Sequence, residues 1–123
     1  MIFKKYWDSI YKFELIFIAD ATHEEVNKRI KKYHVPFLPE SFSGNDGAFI
    51  LINPDEHKGM KYWTALLWIR KKKDFYALLH ELVHMVIDVF ENRSIEITTA
   101  TTEPFAYYLE SWFKKLWRVV NKN

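Results

Sequence analysis

The chain contains no cysteine. It can therefore form neither a disulfide bond nor a thiolate metal site, and it offers no cysteine nucleophile. Any metal ion must be held by histidine and carboxylate side chains. A cysteine-free chain folds equally well on either side of a membrane, so this absence leaves the compartment open.

The chain also lacks a strong excess of charge of one sign. Eighteen Lys and Arg residues stand against sixteen Asp and Glu residues, which gives a formal net charge of +2. The basic residues are scattered, and the run Lys71 to Lys73 is interpreted as a solvated strand end. A nucleic-acid-binding protein that uses Lys71 to Lys73, Lys28 to Lys32 and exposed aromatic residues is a rival interpretation. The near-neutral charge balance argues against it, and it also argues against an anionic membrane as a partner.

No hydrophobic run approaches the ~20 residues that cross a bilayer. Lys4 and Lys5 lie near the N-terminus, but Glu14 and Asp20 interrupt the apolar stretch that follows, and no small-residue cleavage site comes after it. We therefore predict no signal peptide and expect a cytoplasmic protein.

Internal repeats and low-complexity tracts are absent, and no linker divides the chain. With 123 residues, of which 49% are hydrophobic and 18% aromatic, the chain is long and apolar enough for one buried core. A single domain over residues 1–123 is expected.

Hydrophobic periodicity predicts three strands and three helices. Strands are expected over 11–19, 48–53 and 61–70, and helices over 22–35, 74–92 and 103–120. Thr22 and Glu25 form a capping box, Asp74 is an N-cap, and Thr101 or Thr102 caps the last helix. The predicted fold class is α+β: an antiparallel or mixed sheet of about three strands packed on a central helix, with a short N-terminal and a C-terminal helix.

The central helix carries the pentapeptide His80-Glu81-Leu82-Val83-His84. Histidines four residues apart lie on one helix face, so both imidazoles can reach one ion about 2.0–2.1 Å away. Glu81 would point beside the ion toward its water. On a helical wheel His80, Glu81 and His84 share a polar arc opposite the apolar residues, which favours a Zn²⁺ site over packed core histidines.

A zinc hydrolase needs a third protein ligand, and Glu103 is the preferred candidate. It begins the last helix, whose first turn can fold back to face the central helix. An ordinary first-turn carboxylate that complements the helix dipole is the alternative interpretation. Glu110 and Asp88 are the substitutes for Glu103 as ligand.

HELVH followed by a glutamate at the head of a later helix resembles the gluzincin class of zinc metallopeptidases. The block TTEPFAYYLE is also similar to small HExxH proteins encoded by phages, and the two resemblances together cover about residues 75–112. They imply that His80, His84 and Glu103 bind zinc and that Glu81 is the general base. Tyr107 stands where many gluzincins have an aspartate. The resemblance also implies that the protein acts in the cytoplasm of a bacterial or phage-infected host cell.

Peptide hydrolysis by a zinc-activated water is the chemistry that this set implies. Glu81 would take a proton from the water and pass it to the leaving amine. Tyr107 is the first candidate for an oxyanion donor, and Tyr108 and His57 are further ones. Asp88 could accept a hydrogen bond from a ligand imidazole.

The strand over 61–70 leads directly into the metal helix and could offer an edge to an extended peptide, with Trp63 and Trp68 lining subsites. A buried central strand fits its two apolar faces equally well. The predicted function is a zinc metallopeptidase acting on a protein or peptide. The alternative is a catalytically inactive zincin-like binding module, such as a phage structural or assembly component.

Overall fold

A four-stranded mixed sheet forms the centre of the fold, and three α-helices cover it. The computed structural model describes residues 1–122, so only the last position of the expected domain lies outside it. The strands are β1 (Ile2–Asp8), β2 (Phe13–Ala19), β3 (Gly47–Ile52) and β4 (Thr64–Ile69). The helices are α1 (His23–Ile30), α2 (Phe75–Asn92) and α3 (Thr102–Asn121). These elements confirm the predicted α+β class.

The strand order is β1-β2-β4-β3. β4 pairs in parallel with β2 and antiparallel with β3, while β1 pairs antiparallel with β2. β1 and β3 are therefore the edges, and β4 is internal with all six of its residues buried. β1 is a fourth strand that the sequence did not predict, because Lys4 and Lys5 interrupt its apolar pattern.

The two faces of the sheet are covered by different helices. One hydrophobic cluster joins Val26 and Ile30 of α1 to strand residues such as Ile16, Leu66 and Trp68. The other joins α2 and α3 to the opposite face, through residues such as Leu15, Phe17, Leu67, Leu78, Leu82 and Trp112. The helix that carries the HELVH motif thus packs on one face, and α1 packs on the other.

Side-chain caps fix where the first two helices begin. The Thr22 side chain accepts from the Glu25 backbone and the Glu25 side chain accepts from the Thr22 backbone, which confirms the capping box. Asp74 accepts a 3.0 Å hydrogen bond from the Ala77 backbone, as predicted. Thr101 precedes α3, but its hydroxyl donates to the backbone carbonyls of Glu96 and Thr98 and does not cap the helix.

A buried carboxylate ties α3 to the turn between β1 and β2. Asp8 Oδ1 accepts from the Ile10 and Tyr11 backbone, while Oδ2 accepts from the Tyr108 hydroxyl at 2.5 Å and from Trp112 Nε1 at 3.2 Å. Four donors satisfy this buried group, so it fixes the position of α3 against the sheet. Within residues 1–122, none of the helices has the length and hydropathy needed to span a bilayer.

Candidate metal centre

α2 points the two histidines of the motif away from the sheet and the glutamate toward it. His80 and His84 are exposed, whereas Glu81 is only 8% exposed. The side chains separate in this way because consecutive helical residues are turned by about 100°. The helical wheel predicts a polar arc that Glu81 shares with the two histidines. In the structure β3 lies along that side of α2 and buries the side chain of Glu81.

The two imidazoles are spaced as a shared metal ion requires. Their Nε2 atoms lie 3.2 Å apart. Two nitrogens bound to a tetrahedral zinc ion at about 2.0–2.1 Å are separated by roughly 3.3 Å. One ligand atom from each of His80, Glu81 and His84 lies within 4.8 Å of the other two. The donor set and its spacing therefore fit a divalent metal such as zinc.

Glu81 lies in a less polar environment than an exposed carboxylate. Its burial raises the pKa of its carboxyl group above the ordinary value, and the neighbouring His80 and His84 act in the opposite direction. A proton is thus held more tightly on Glu81 than on a solvated glutamate, which suits a group that accepts and then returns a proton.

An open cavity of about 540 Å³ lies beside these residues. One wall is the segment 44–47, which leads into β3, and the other is the start of α2, including Tyr76, Ala77, His80 and Glu81. The sequence marked 36–47 only as a loop. Gly47, at the point where the loop becomes a strand, is the signal in the sequence that this segment approaches another element closely.

Arg70, just after β4, holds this wall in place. Its guanidinium donates to the Ser43 carbonyl at 2.5 Å and to the Asn45 carbonyl at 3.0 and 3.1 Å. The Arg70 backbone N–H donates to the Asp46 carbonyl at 2.8 Å. Arg70 therefore holds three carbonyl groups of this loop, two of them in the cavity wall (Asn45 and Asp46) and one just before it (Ser43).

The three carboxylates predicted as candidates for the third ligand lie outside the group formed by His80, Glu81 and His84. Among residues 1–122, that group contains only His80, Glu81 and His84. Glu103 is exposed in the first turn of α3, and Glu110 is exposed and pairs with Lys114 at 2.7 Å. Glu103 as a zinc ligand stays a prediction.

Asp88 is the carboxylate whose environment involves a motif histidine. It lies one turn after His84 and is partly buried, which raises the pKa of its carboxyl group. Nearby His84 opposes this shift and Glu91 adds to it. The proximity to His84 is compatible with the predicted role of Asp88 as a hydrogen-bond acceptor for a ligand imidazole.

The candidate oxyanion donors are distributed over separate places. Tyr107 is exposed on α3 and does not line the cavity described above. Tyr108 is buried and its hydroxyl donates to Asp8, so it has another structural role. His57 lines a different cavity together with His34. A catalytic role for Tyr107 stays a prediction.

The predicted substrate edge on the strand over 61–70 is wrong. β4 is paired on both sides, because its parallel pairing with β2 leaves β3 as the outer strand. Trp68 is fully buried under α1, where its Nε1 donates to the Ala21 carbonyl at 2.8 Å, so it lines no subsite. The buried central strand is the correct alternative, and the edge beside the metal centre belongs to β3.

Comparison with known protein families, with characterised proteins and with solved structures gives no match to this chain. The likeness to zinc metallopeptidases therefore rests on the HELVH motif and on the grouping of His80, Glu81 and His84.

Proposed function

We propose that the protein is a zinc-dependent metallopeptidase. The observation that carries the proposal is the grouping of a buried carboxylate with two imidazoles whose Nε2 atoms are 3.2 Å apart, beside an open cavity that His80 and Glu81 line. This donor set lacks sulfur and keeps solvent access on one side, as hydrolytic zinc sites do and closed structural sites do not.

His80 and His84 would hold the ion, with Glu103 as the proposed third ligand. Zinc bound in this way polarises a carbonyl group and makes water a stronger acid near neutral pH. The exposed side of His80 and His84 leaves room for a substrate to approach.

Glu81 is the proposed general base and acid. One of its carboxylate oxygens takes a proton from the attacking water and then delivers it to the nitrogen of the leaving amine. Burial of Glu81 raises the pKa of its carboxyl group, which favours proton uptake by this group relative to a solvated glutamate. Its position against β3 limits the directions in which the carboxylate can swing.

The edge strand β3 supports a peptide as the substrate. β3 pairs with β4 on one side only, and Gly47 at its start also lines the cavity. An unpaired strand edge offers backbone N–H and C=O groups to an extended chain. A peptide that pairs with β3 would therefore carry its backbone past Glu81.

A catalytically inactive zincin-like binding module, for instance one with an assembly role, is the second candidate. The observation that favours it is that, among residues 1–122, the group of His80, Glu81 and His84 contains no second carboxylate that could act as the third metal ligand beside Glu81 as the base. Two histidines and Glu81 could hold a metal whose role is only structural.

Elemental analysis of the purified chain tests the metal, and a peptide library tests hydrolysis. We expect about one zinc per chain in the wild type, none in His84→Ala, and wild-type content in Glu81→Gln. The Glu81→Gln variant should lose hydrolysis. A chain that takes up no zinc, or a Glu81→Gln variant that cleaves as well as wild type, overturns the proposal. Zinc binding without cleavage of any library peptide supports the inactive module.

A further inference from the structure

We propose that a second surface, on the face of the sheet covered by α1, binds single-stranded nucleic acid. This surface consists of two adjoining cavities of about 260 and 370 Å³ and is called the basic groove below. Its lining residues come from the sheet strands β1, β2 and β4, from the segment 31–37 that follows α1, and from the loop between β3 and β4. The proposal is independent of the function proposed for the metal centre.

The basic groove and the metal centre lie on opposite faces of the sheet. Tyr6 and Asp8 of β1 contact α3, on the same face as α2. Side chains alternate along a strand, so Lys5 and Trp7 project from the other face. The pairing of Lys5 with Ile16 agrees, because Ile16 belongs to the cluster under α1.

The first cavity combines lysines with aromatic rings. Lys5, Tyr33, Lys61 and Tyr62 line it. The Nζ atom of Lys5 lies 4.9 Å from the centre of the Tyr33 ring, and that of Lys32 lies 5.3 Å from it on the same ring. Phe3 stacks on the same ring with a centroid distance of 5.3 Å, so positive charge is concentrated beside a packed aromatic pair.

The second cavity continues the first. Lys31, His34, Phe37 and Lys58 are among its lining residues. Val35 lines both cavities, and His34 packs against Gly59 so closely that a Cβ at Gly59 would lie 2.9 Å from its ring. The two cavities therefore adjoin at Val35 and at the contact of His34 with Gly59.

The lining is strongly basic although the whole chain is nearly neutral. Four lysines line the two cavities, at positions 5, 31, 58 and 61. Among the described residues that line the two cavities, the only carboxylate is Glu14, which forms a salt bridge with Lys5 at an Nζ–Oε1 distance of 3.4 Å. The basic residues are scattered in the sequence, but folding gathers three separated segments into one patch. Such a patch attracts a phosphate backbone.

Exposed aromatic rings stand along the same groove. Tyr62, which is 55% exposed, lines the first cavity, and Trp7, which is 49% exposed and lies outside both cavities, meets it edge to face with a ring-centroid distance of 5.2 Å. Phe37, which is 59% exposed, lines the second cavity. A lining with both exposed aromatic rings and lysines suits a strand with unstacked bases, because bases stack on the rings while lysines contact phosphates. Duplex bases are hidden inside the helix, so a single strand is the better partner.

Fluorescence anisotropy with a labelled oligothymidylate of about 16 nucleotides tests the proposal. We expect salt-sensitive binding to the wild type. Lys5→Gln with Lys61→Gln should weaken it about tenfold or more and lower the slope of log affinity against log salt by about 1.4, since each phosphate contact on a single strand contributes about 0.7. Tyr62→Ala should weaken binding by removing a stacking ring.

Lys71→Gln with Lys73→Gln is the matched control. It removes the same charge from exposed residues that line neither cavity of the groove, and we expect affinity close to wild type. Circular dichroism checks that each variant is folded. Absence of binding at low salt, an equal loss in the control pair, or tighter binding to a duplex overturns the proposal. His84→Ala should bind as the wild type does, which separates this test from that of the metal centre.

Discussion

Gly47 leaves the space that the Glu81 side chain occupies. A Cβ atom at position 47 would lie 3.2 Å from Glu81 Cγ and 2.6 Å from the Trp68 carbonyl oxygen. The first contact is tight and the second is closer than real Cβ atoms approach. The start of the edge strand β3 therefore packs directly against Glu81, the proposed general base.

Gly47→Ala should impair hydrolysis while the zinc site persists. The added methyl group must displace either Glu81 or the β3–β4 pairing, and a shift of about 1 Å in a catalytic group can cost roughly a hundredfold in rate. The measurement is kcat on a cleaved library peptide together with zinc content.

Gly44→Ala is the control, because no atom lies within 4 Å of a Cβ at that position although Gly44 lines the same cavity. It should have wild-type rate and zinc content. Equal rates for the two alanine variants would contradict the role assigned to Gly47. Circular dichroism and the zinc content show whether Gly47→Ala is folded.

The sequence reveals contacts that are local along the chain far better than those between distant elements. The capping box at Thr22, the cap at Asp74 and the spacing of His80 and His84 all lie within one or two helical turns, and periodicity identifies them. The partnership of Gly47 with Glu81 depends on β3 lying along α2, which no local pattern encodes.

Strand order is the second feature that the sequence leaves undetermined. β4 has apolar residues on both faces, which is compatible with an internal strand or an edge, and its parallel pairing with β2 decides the matter. β1 was missed because Lys4 and Lys5 lie within it, and its position depends on pairing with β2. The net charge of the chain does not reveal the basic groove, because its lysines come from separated segments that meet only in the folded chain.

Three carboxylate variants identify the third zinc ligand. Glu103→Gln should weaken zinc binding most, because it removes the proposed ligand. Asp88→Asn should weaken it by about 10–100-fold, as expected for a residue that orients His84. Glu110→Gln should have little effect, since Glu110 pairs with Lys114 on an exposed helix face. Competition with a chromogenic chelator measures the affinities, and a larger loss in Glu110→Gln than in Glu103→Gln reassigns the ligand.

Arg70→Met should loosen the cavity wall. The guanidinium donates to the Ser43 and Asn45 carbonyls, and hydrogen bonds from charged groups contribute about 1.5–3 kcal/mol each, less where water reaches them. We expect the free energy of unfolding in urea to fall by about 1–3 kcal/mol. Chymotrypsin should cut faster after Phe42, next to the released segment.

Arg118→Met is the control for Arg70, because Arg118 is exposed on α3. Its unfolding free energy and its rate of cleavage after Phe42 should match the wild type. If both arginine variants behave alike, Arg70 does not hold the wall.

The hydrogen bond between Tyr108 and Asp8 should make the free energy of unfolding fall as the pH becomes alkaline. Burial raises the pKa of the Tyr108 hydroxyl above its ordinary value of 10.0, and the hydrogen bond to Asp8 raises it further. Because the folded-state pKa is the higher one, the stabilisation is complete below about pH 10. Above it, the unfolded chain releases the proton that the folded chain retains, so the stabilisation is lost as pH rises.

Tyr108→Phe tests this dependence. At neutral pH the variant should be less stable by about 1–3 kcal/mol, because Asp8 loses one donor while remaining buried. Between about pH 10 and pH 11 the difference from wild type in urea unfolding should shrink, since phenylalanine has no proton to release. Tyr107→Phe, at an exposed ring, should follow the wild type at every pH. The contrary result is a difference in unfolding free energy between wild type and Tyr108→Phe that stays constant up to pH 11. It would mean that the Tyr108 hydroxyl has the same pKa in the folded and unfolded chains. The hydrogen bond to Asp8 would then stabilise the fold without making its stability depend on pH.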